Sequence, residues 1–107
     1  MHELPDPALD EVAQFFQALA EPTRLRLLNL LRGGELKVGE LAQGAQMTAA
    51  NVSRHMSLLQ QRGLVERDSR GTSVYYRIAD DSIYQLCDFV CGTVARRHEA
   101  RDALRRR

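Results

Sequence analysis

The sequence predicts a mainly α fold with a small β-hairpin wing: five helices arranged as a winged helix-turn-helix. Three observations predict it. Residues 38–42 and 52–59 carry apolar side chains at helical spacing on either side of Gly44-Ala45. Residues 64–68 and 73–78 are rich in β-branched and aromatic residues and flank Arg70-Gly71, the pattern of a hairpin. The order helix, tight turn, helix, strand, Gly turn, strand is the one that offers a helix to the major groove of DNA.

The first helix is expected to open at Asp6-Pro7, with Asp as N-cap and Pro in the first turn. Leu9, Val12, Ala13, Phe16, Leu19 and Ala20 then recur every three or four residues, an amphipathic stripe whose job is packing. Pro22 starts a second helix in which Leu25, Leu28 and Leu31, supported by Leu27 and Leu30, predict the core element. Gly33-Gly34 ends it through a left-handed conformation. After a short extended piece at Glu35-Leu36, Val38, Leu41 and Ala42 line a helix of about two turns closed by Gly44, and Ala45-Gln46-Met47 turns the chain. Thr48 is a natural N-cap for the fourth helix. Val52, Met56 and Leu59 face inward there, and Gly63 stops it. Leu64 to Asp68 and Ser73 to Ile78 form the wing, joined by a Ser69-Arg70-Gly71-Thr72 loop. Tyr75, Tyr76 and Arg77 are expected to anchor the hairpin on the core. Asp80-Asp81-Ser82 caps a long last helix with Ile83, Leu86, Cys87, Val90, Cys91 and Val94 on one stripe.

At 107 residues the length fits a single domain, 1–107, small enough for a partner subunit to help. Its DNA-reading part spans about 38–78, with dimerisation helices at about 7–20 and 80–98 and an Arg-rich tail, 99–107, whose terminal Arg-Arg-Arg is expected to be disordered. The apolar runs fall short of the roughly 20 residues a membrane span needs. Glu3, Asp6, Asp10 and Glu11 make the start acidic where a secretory signal is basic. A cytoplasmic protein with no membrane partner is expected, its cysteines thiols rather than a structural disulfide.

Net charge is only +1, but its distribution is uneven. Residues 1–21 hold five acids and no Lys or Arg, residues 48–78 hold Arg54, Arg62, Arg67, Arg70 and Arg77 against Glu66 and Asp68, and the last twelve residues hold six Arg. A basic middle and tail behind an acidic front suits a protein that turns one face to phosphates.

A recognition helix needs small or polar residues near its exposed N-terminal end and donors that reach phosphates and purine edges. Thr48, Asn51, Ser53, Arg54 and His55 supply them. Asn51 matches an adenine edge and Arg54 guanine O6/N7, while Thr48 and Ser53 suit phosphate or cap roles. Arg67, Arg70 and Thr72 would contact phosphates or the minor groove from the wing. Singly, each has an ordinary explanation: Thr48 as a cap alone, His55 as a packed histidine, Arg54 and Arg62 as a solvated face. The arrangement carries the weight.

The stretches Leu19-Ala20-Glu21-Pro22-Thr23-Arg24-Leu25-Arg26-Leu27-Leu28, Glu35-Leu36-Lys37-Val38-Gly39-Glu40-Leu41, Val52-Ser53-Arg54-His55-Met56-Ser57-Leu58-Leu59, Gly63-Leu64-Val65 and Gly71 through Tyr76-Arg77-Ile78 resemble the ArsR/SmtB family over roughly residues 9–95. The resemblance implies a homodimeric bacterial repressor that binds double-stranded operator DNA, pairs through its first and last helices, and leaves DNA when an inducer binds. Where the family often has a Gln-Ser pair at the start of the recognition helix, this chain has Ala49-Ala50, leaving Asn51 as the substitute.

The resemblance also frames what is sensed. The metalloid-binding cysteines of founding members fall where this chain has Lys37, Gly39 and Ala42. The Asp, His, His, Glu zinc set falls on Asp80, Ser82, Thr93 and Arg96, with one ligand kept; His98 and Glu99 do not restore the spacing, and His2 and His98 read as solvated residues. What remains is Cys87-x-x-x-Cys91, two thiols about 40° apart around a helix with Cβ atoms roughly 5–6 Å apart. That geometry suits a shared soft ion or thiol-reactive compound better than an intrahelical disulfide. No cofactor is required; the candidate inducer is As(III), Sb(III) or another thiophilic ion, with a third ligand from the other subunit or from outside the protein, or else a thiol-reactive or redox signal, an intersubunit disulfide included. The competing explanation is that both cysteines only pack.

Two other functions stay open on sequence. One is a winged-helix regulator or protein-interaction module with purely structural cysteines. The other is a thiol enzyme, disfavoured because Cys87 is mid-helix, has no nearby His, and lacks the Cys-x-x-Cys spacing.

Overall fold

The computed structural model describes residues 3–105; Met1, His2, Arg106 and Arg107, and with them most of the terminal Arg-Arg-Arg, lie outside the described residues, while residues 99–105, expected as a tail beyond the last helix, continue that helix. Five helices and three short strands follow in order: α1 (Asp6–Leu19), α2 (Pro22–Leu30) with a 3-10 turn at Leu31–Gly33, β1 (Leu36–Lys37), α3 (Val38–Ala45), α4 (Ala49–Gln61), β2 (Val65–Arg70), β3 (Ser73–Ile78) and α5 (Ser82–Arg105). The sheet is antiparallel with order β1-β3-β2. None of the described helices is long and apolar enough to cross a membrane.

The core sits between α2, α3, α4 and the inner face of the sheet. Leu27, Leu28, Leu31, Leu41, Val52, Met56, Leu59, Leu64, Val65, Tyr76 and Ile83 are all buried. The inward set of α4 is the one helical spacing predicts. Thr48 caps that helix, its Oγ1 accepting the Asn51 amide at 3.1 Å, and Gly63, at φ 78°, turns the chain out of it. At the other end of the hairpin, Ser82 donates its amide to Asp80 Oδ1 at 2.9 Å, starting α5.

Several expectations are corrected. Asp6 is not the cap of α1: Pro5 occupies the N-cap without a side-chain bond, and Asp6 lies inside the first turn. The stripe Leu9, Val12 and Phe16 is exposed, whereas Phe15, Ala18 and Leu19 meet the core. Leu25 is exposed and Leu27 takes its place inside. Val90, Cys91 and Val94 of α5 are also exposed, because only the first turns of α5 reach the core. Gly44 does not close α3. It lies within the helix, where a Cβ would stand 3.1 Å from Leu30 Cδ1. The helix instead ends at Gln46, whose backbone is left-handed at φ 56°, ψ 50°, with the Met47 amide donating to Ala42 O at 3.0 Å as in a Schellman ending.

The wing is tighter than expected. Arg70 pairs with Ser73, so the turn is only Gly71-Thr72. A positive φ of 60° at Gly71, with Thr72 on the negative side, fits a type II′ hairpin turn. The Glu35-Leu36 segment yields a third strand: Leu36 and Lys37 pair with Tyr76 and Tyr75. Tyr76 anchors the hairpin as expected, while Arg77 faces solvent.

Because Leu59 has no solvent exposure, Leu59→Ala is expected to lower unfolding free energy by about 2–5 kcal/mol in urea titrations, whereas Gln60→Ala on the exposed side should change it by less than about 0.5 kcal/mol.

Candidate nucleic-acid interface and thiol pair

Burial of Val52, Met56 and Leu59 fixes the roll of α4. With about 100° per residue, the residues farthest from that inward side are Ala50, Arg54, Ser57 and Gln61, and all four are exposed. Sequence reasoning found Arg54 and missed Ser57 and Gln61, although the same periodicity that located the core would have placed them. Thr48 and Ala49 are exposed at the helix start; Asn51 and Ser53 flank the outward face, half-buried. Arg54 Nη2 donates to Asn51 Oδ1 at 2.8 Å, so the two residues suited to base edges stand together and restrain each other.

His55 points elsewhere. It flanks the inward side, and its Nδ1 lies 4.0 Å from Glu21 Oε2 at the start of α2. Glu21 also caps α2, accepting the Arg24 amide at 3.0 Å. Partial burial works against the Glu21 carboxylate, but the Arg24 and Thr23 amides, with the charges of His55 and Arg24, hold its pKa below the ordinary value. Arg24 in turn reaches back to the end of α1, donating Nε to Ala18 O at 2.6 Å and Nη2 to Gln17 O at 3.2 Å. This joint between α1, α2 and α4 had no sequence cue beyond a Glu before Pro22.

On the wing, Thr72 is exposed at the tip. Arg67 donates to Ser69 Oγ at 3.0 Å. Arg70 is engaged by two carboxylates, Glu35 at 2.7 Å and Asp68 at 2.8 Å, and its guanidinium carbon sits 4.3 Å from the Tyr75 ring centroid. Arg77 pairs with Glu66 at 2.8 Å. Arg70 and Arg77 are thus matched by acids on or beside their own sheet, and Arg67 is not.

Cys87 is half-buried and Cys91 exposed, both as free thiols. They line an apolar groove of about 310 Å³ with Phe16, Leu19, Ala20, Leu25, Leu86 and Val90. Burial and the neighbouring Cys91 push the Cys87 thiol pKa up, while Arg32 opposes them. Among the described residues no group of three or more His, Cys, Asp and Glu is placed to hold a metal ion, so one protomer offers two thiols there. Around the thiols, α5 is pinned to the end of α2. Arg32 makes a two-pronged pair with Asp88 at 2.6 and 3.2 Å and stacks on Tyr84 at 4.4 Å. The Tyr84 hydroxyl donates to Leu28 O at 2.7 Å.

Comparison with known proteins adds an independent line. The family described as "Bacterial regulatory protein, arsR family" matches residues 21–67. The HTH-type transcriptional regulator NmtR of Mycobacterium tuberculosis is 40% identical over 85 residues, covering 79% of this chain and 71% of that one. Among solved structures, a homodimeric winged helix-turn-helix DNA-binding domain of a possible ArsR-family regulator from Mycobacterium bovis superposes with a TM-score of 0.76 at 37% identity, over 92% of this chain and 93% of that one. The AntR antimony-specific transcriptional repressor does so with a TM-score of 0.78 at 28% identity, over 92% and 90%.

A carboxylate whose pKa is lowered by folding stabilises the native state above its unfolded pKa and ceases to do so as pH falls through the lowered folded value. Glu21→Gln, which mimics the protonated side chain, should therefore lower the thermal unfolding midpoint at pH 7 and converge with the unsubstituted protein below about pH 4.

Proposed function

The chain belongs to the arsR family of bacterial regulatory proteins, whose members are DNA-binding transcriptional regulators and not enzymes, and from that premise we propose that it is a homodimeric repressor released from its operator by a thiophilic inducer bound at Cys87 and Cys91. The observation that carries the DNA part is the outward face of α4. Arg54 stands clear of the core, with half-buried Asn51 beside it, on a helix whose start, capped by Thr48, is lined by the small exposed residues Ala49 and Ala50. Small side chains let the helix backbone approach the groove, and Arg54 and Asn51 then reach guanine and adenine edges. Ser53 and Thr48 take phosphate, with Arg67, Arg70 and Thr72 contacting the backbone or minor groove from the wing. His55 acts at one remove, through Glu21, by fixing the helix on α2.

Dimerisation is supported by the apolar residues that the fold leaves outside. Leu9, Val12 and Phe16 of α1, Leu25 of α2, and Phe89, Val90, Val94 and Leu104 of α5 are exposed. A second copy is the occupant that buries them, pairing the first and last helices and setting two α4 helices about one duplex turn apart.

The inducer reading rests on two thiols sharing one groove beside that apolar surface. A soft ion such as As(III) or Sb(III) would displace both thiol protons and take its third ligand from the partner subunit or from outside the protein. An ion drawn into the groove strains α5 against its attachments to α2, Asp88 to Arg32 and Tyr84 to Leu28, and α2 shares its core with α4. The name of the antimony-specific relative gives the chemical class to try first.

The test is fluorescence anisotropy on DNA from upstream of the gene. Arg54→Ala should cost about 1–3 kcal/mol of binding; no loss with either Arg54→Ala or Arg70→Ala would favour the protein-interaction module instead. Antimonite or arsenite should release the unsubstituted protein and leave Cys87→Ser/Cys91→Ser bound. Arsenite and antimonite are neutral trihydroxides in this range, so each thiol proton leaves with a displaced hydroxide as water, and half-release should need about the same inducer concentration at pH 6 and at pH 8.

A further inference from the structure

The outer face of the sheet carries a second determinant of DNA affinity, an inference that rests on the wing meeting phosphates as proposed above. Strand alternation sets Glu66, Asp68 and Arg70 of β2 on the same side as Tyr75 and Arg77 of β3 and Lys37 of β1. Glu35, the residue before β1, closes over this row. Its Oε2 lies 2.7 Å from Arg70 Nη2 and 3.6 Å from Arg77 Nη1. It is also the most shielded of the three wing carboxylates, with 28% of its side chain exposed against 41% for Asp68 and 50% for Glu66. Asp68 takes the Nε of Arg70 at 2.8 Å. Two acids therefore occupy the donors that a bidentate phosphate contact would use.

Asp68 lies two residues from Arg70 on the same strand and moves with it, whereas Glu35 belongs to another segment. Of the two bonds, the one to Glu35 can be exchanged without disturbing the hairpin. Tyr75, under the guanidinium, keeps Arg70 aligned after the exchange. We propose that Glu35 is an internal stand-in for a DNA phosphate: it holds Arg70 in the free protein, gives it up when the wing docks, and so lowers affinity for duplex DNA through Arg70.

The experiment titrates mixed-sequence duplex of roughly 30 base pairs, long enough for two recognition helices, across a salt series with the full chain. Glu35→Gln should bind about three- to fivefold more tightly at low salt, with the gain shrinking as salt rises. Combined with Arg70→Ala, Glu35→Gln should give no gain; combined with Arg77→Ala, most of it should survive. Unchanged or weaker binding by Glu35→Gln overturns the proposal, as does a gain that persists without Arg70, which would make Glu35 a source of general repulsion. Loss of duplex binding by every variant and by the unsubstituted protein would instead sink the DNA-binding reading, and this inference with it.

Discussion

Val52, Met56 and Leu59 are sealed on one side of α4, and the orientation of everything that faces away from the core depends on that seal. Burying three such side chains is worth roughly 1.5–3 kcal/mol each, far more than any exposed hydrogen bond or ion pair here can contribute. Helical geometry then leaves no freedom over what is presented outward. Arg54 is on display because it lies about 200° around the helix from Val52, and His55 is turned toward α2 because it does not. The Thr48 cap and the left-handed Gln46 position the start of the helix, but the core decides its roll.

The same economy explains the split between two kinds of apolar surface. The protomer core draws on α2, α3, α4 and one face of a three-stranded sheet. The first and last helices add little beyond Phe15, Ala18, Leu19, Ile83, Leu86 and Cys87 to it, and leave large side chains in water. A 107-residue chain with this division leaves outside the apolar surface that the proposed second copy would cover, and the thiols lie at the border between that surface and the core.

Much of this was legible in the sequence because the governing signals are local. Period 3.6 located the inward side of α4, Thr48 announced its start, Gly63 its end, and β-branched and aromatic residues the hairpin. What escaped was what periodicity cannot carry. An apolar stripe looks the same whether it faces its own core or a second copy, so Leu9, Val12, Phe16 and Leu25 were indistinguishable from core residues. Gly44 resembled a helix stop, yet its missing Cβ makes room for Leu30. Asp6 had the composition of a cap but one residue too late. Glu35 meeting Arg70 depends on two segments 35 residues apart being neighbours in one sheet, and a two-residue strand is too short to announce itself. The proposed base-contacting and sensing roles rest on chemistry and placement together: apart from His55, the candidate DNA residues gather on the outer side of α4 and the wing, and the two cysteines share one groove.

The attachment of α5 has a mechanical consequence. Its 24 residues extend about 36 Å at 1.5 Å per residue, yet Tyr84 and Asp88, which tie it to α2, lie within its first seven residues, and Ile83, Leu86 and Cys87, which touch the core, lie there too. Such a rod is a lever with its fulcrum at one end. A tilt of about 5° at Tyr84 would carry Arg105 through about 3 Å by that same length, and Cys87 and Cys91 sit close to that fulcrum, where a small displacement is amplified at the far end.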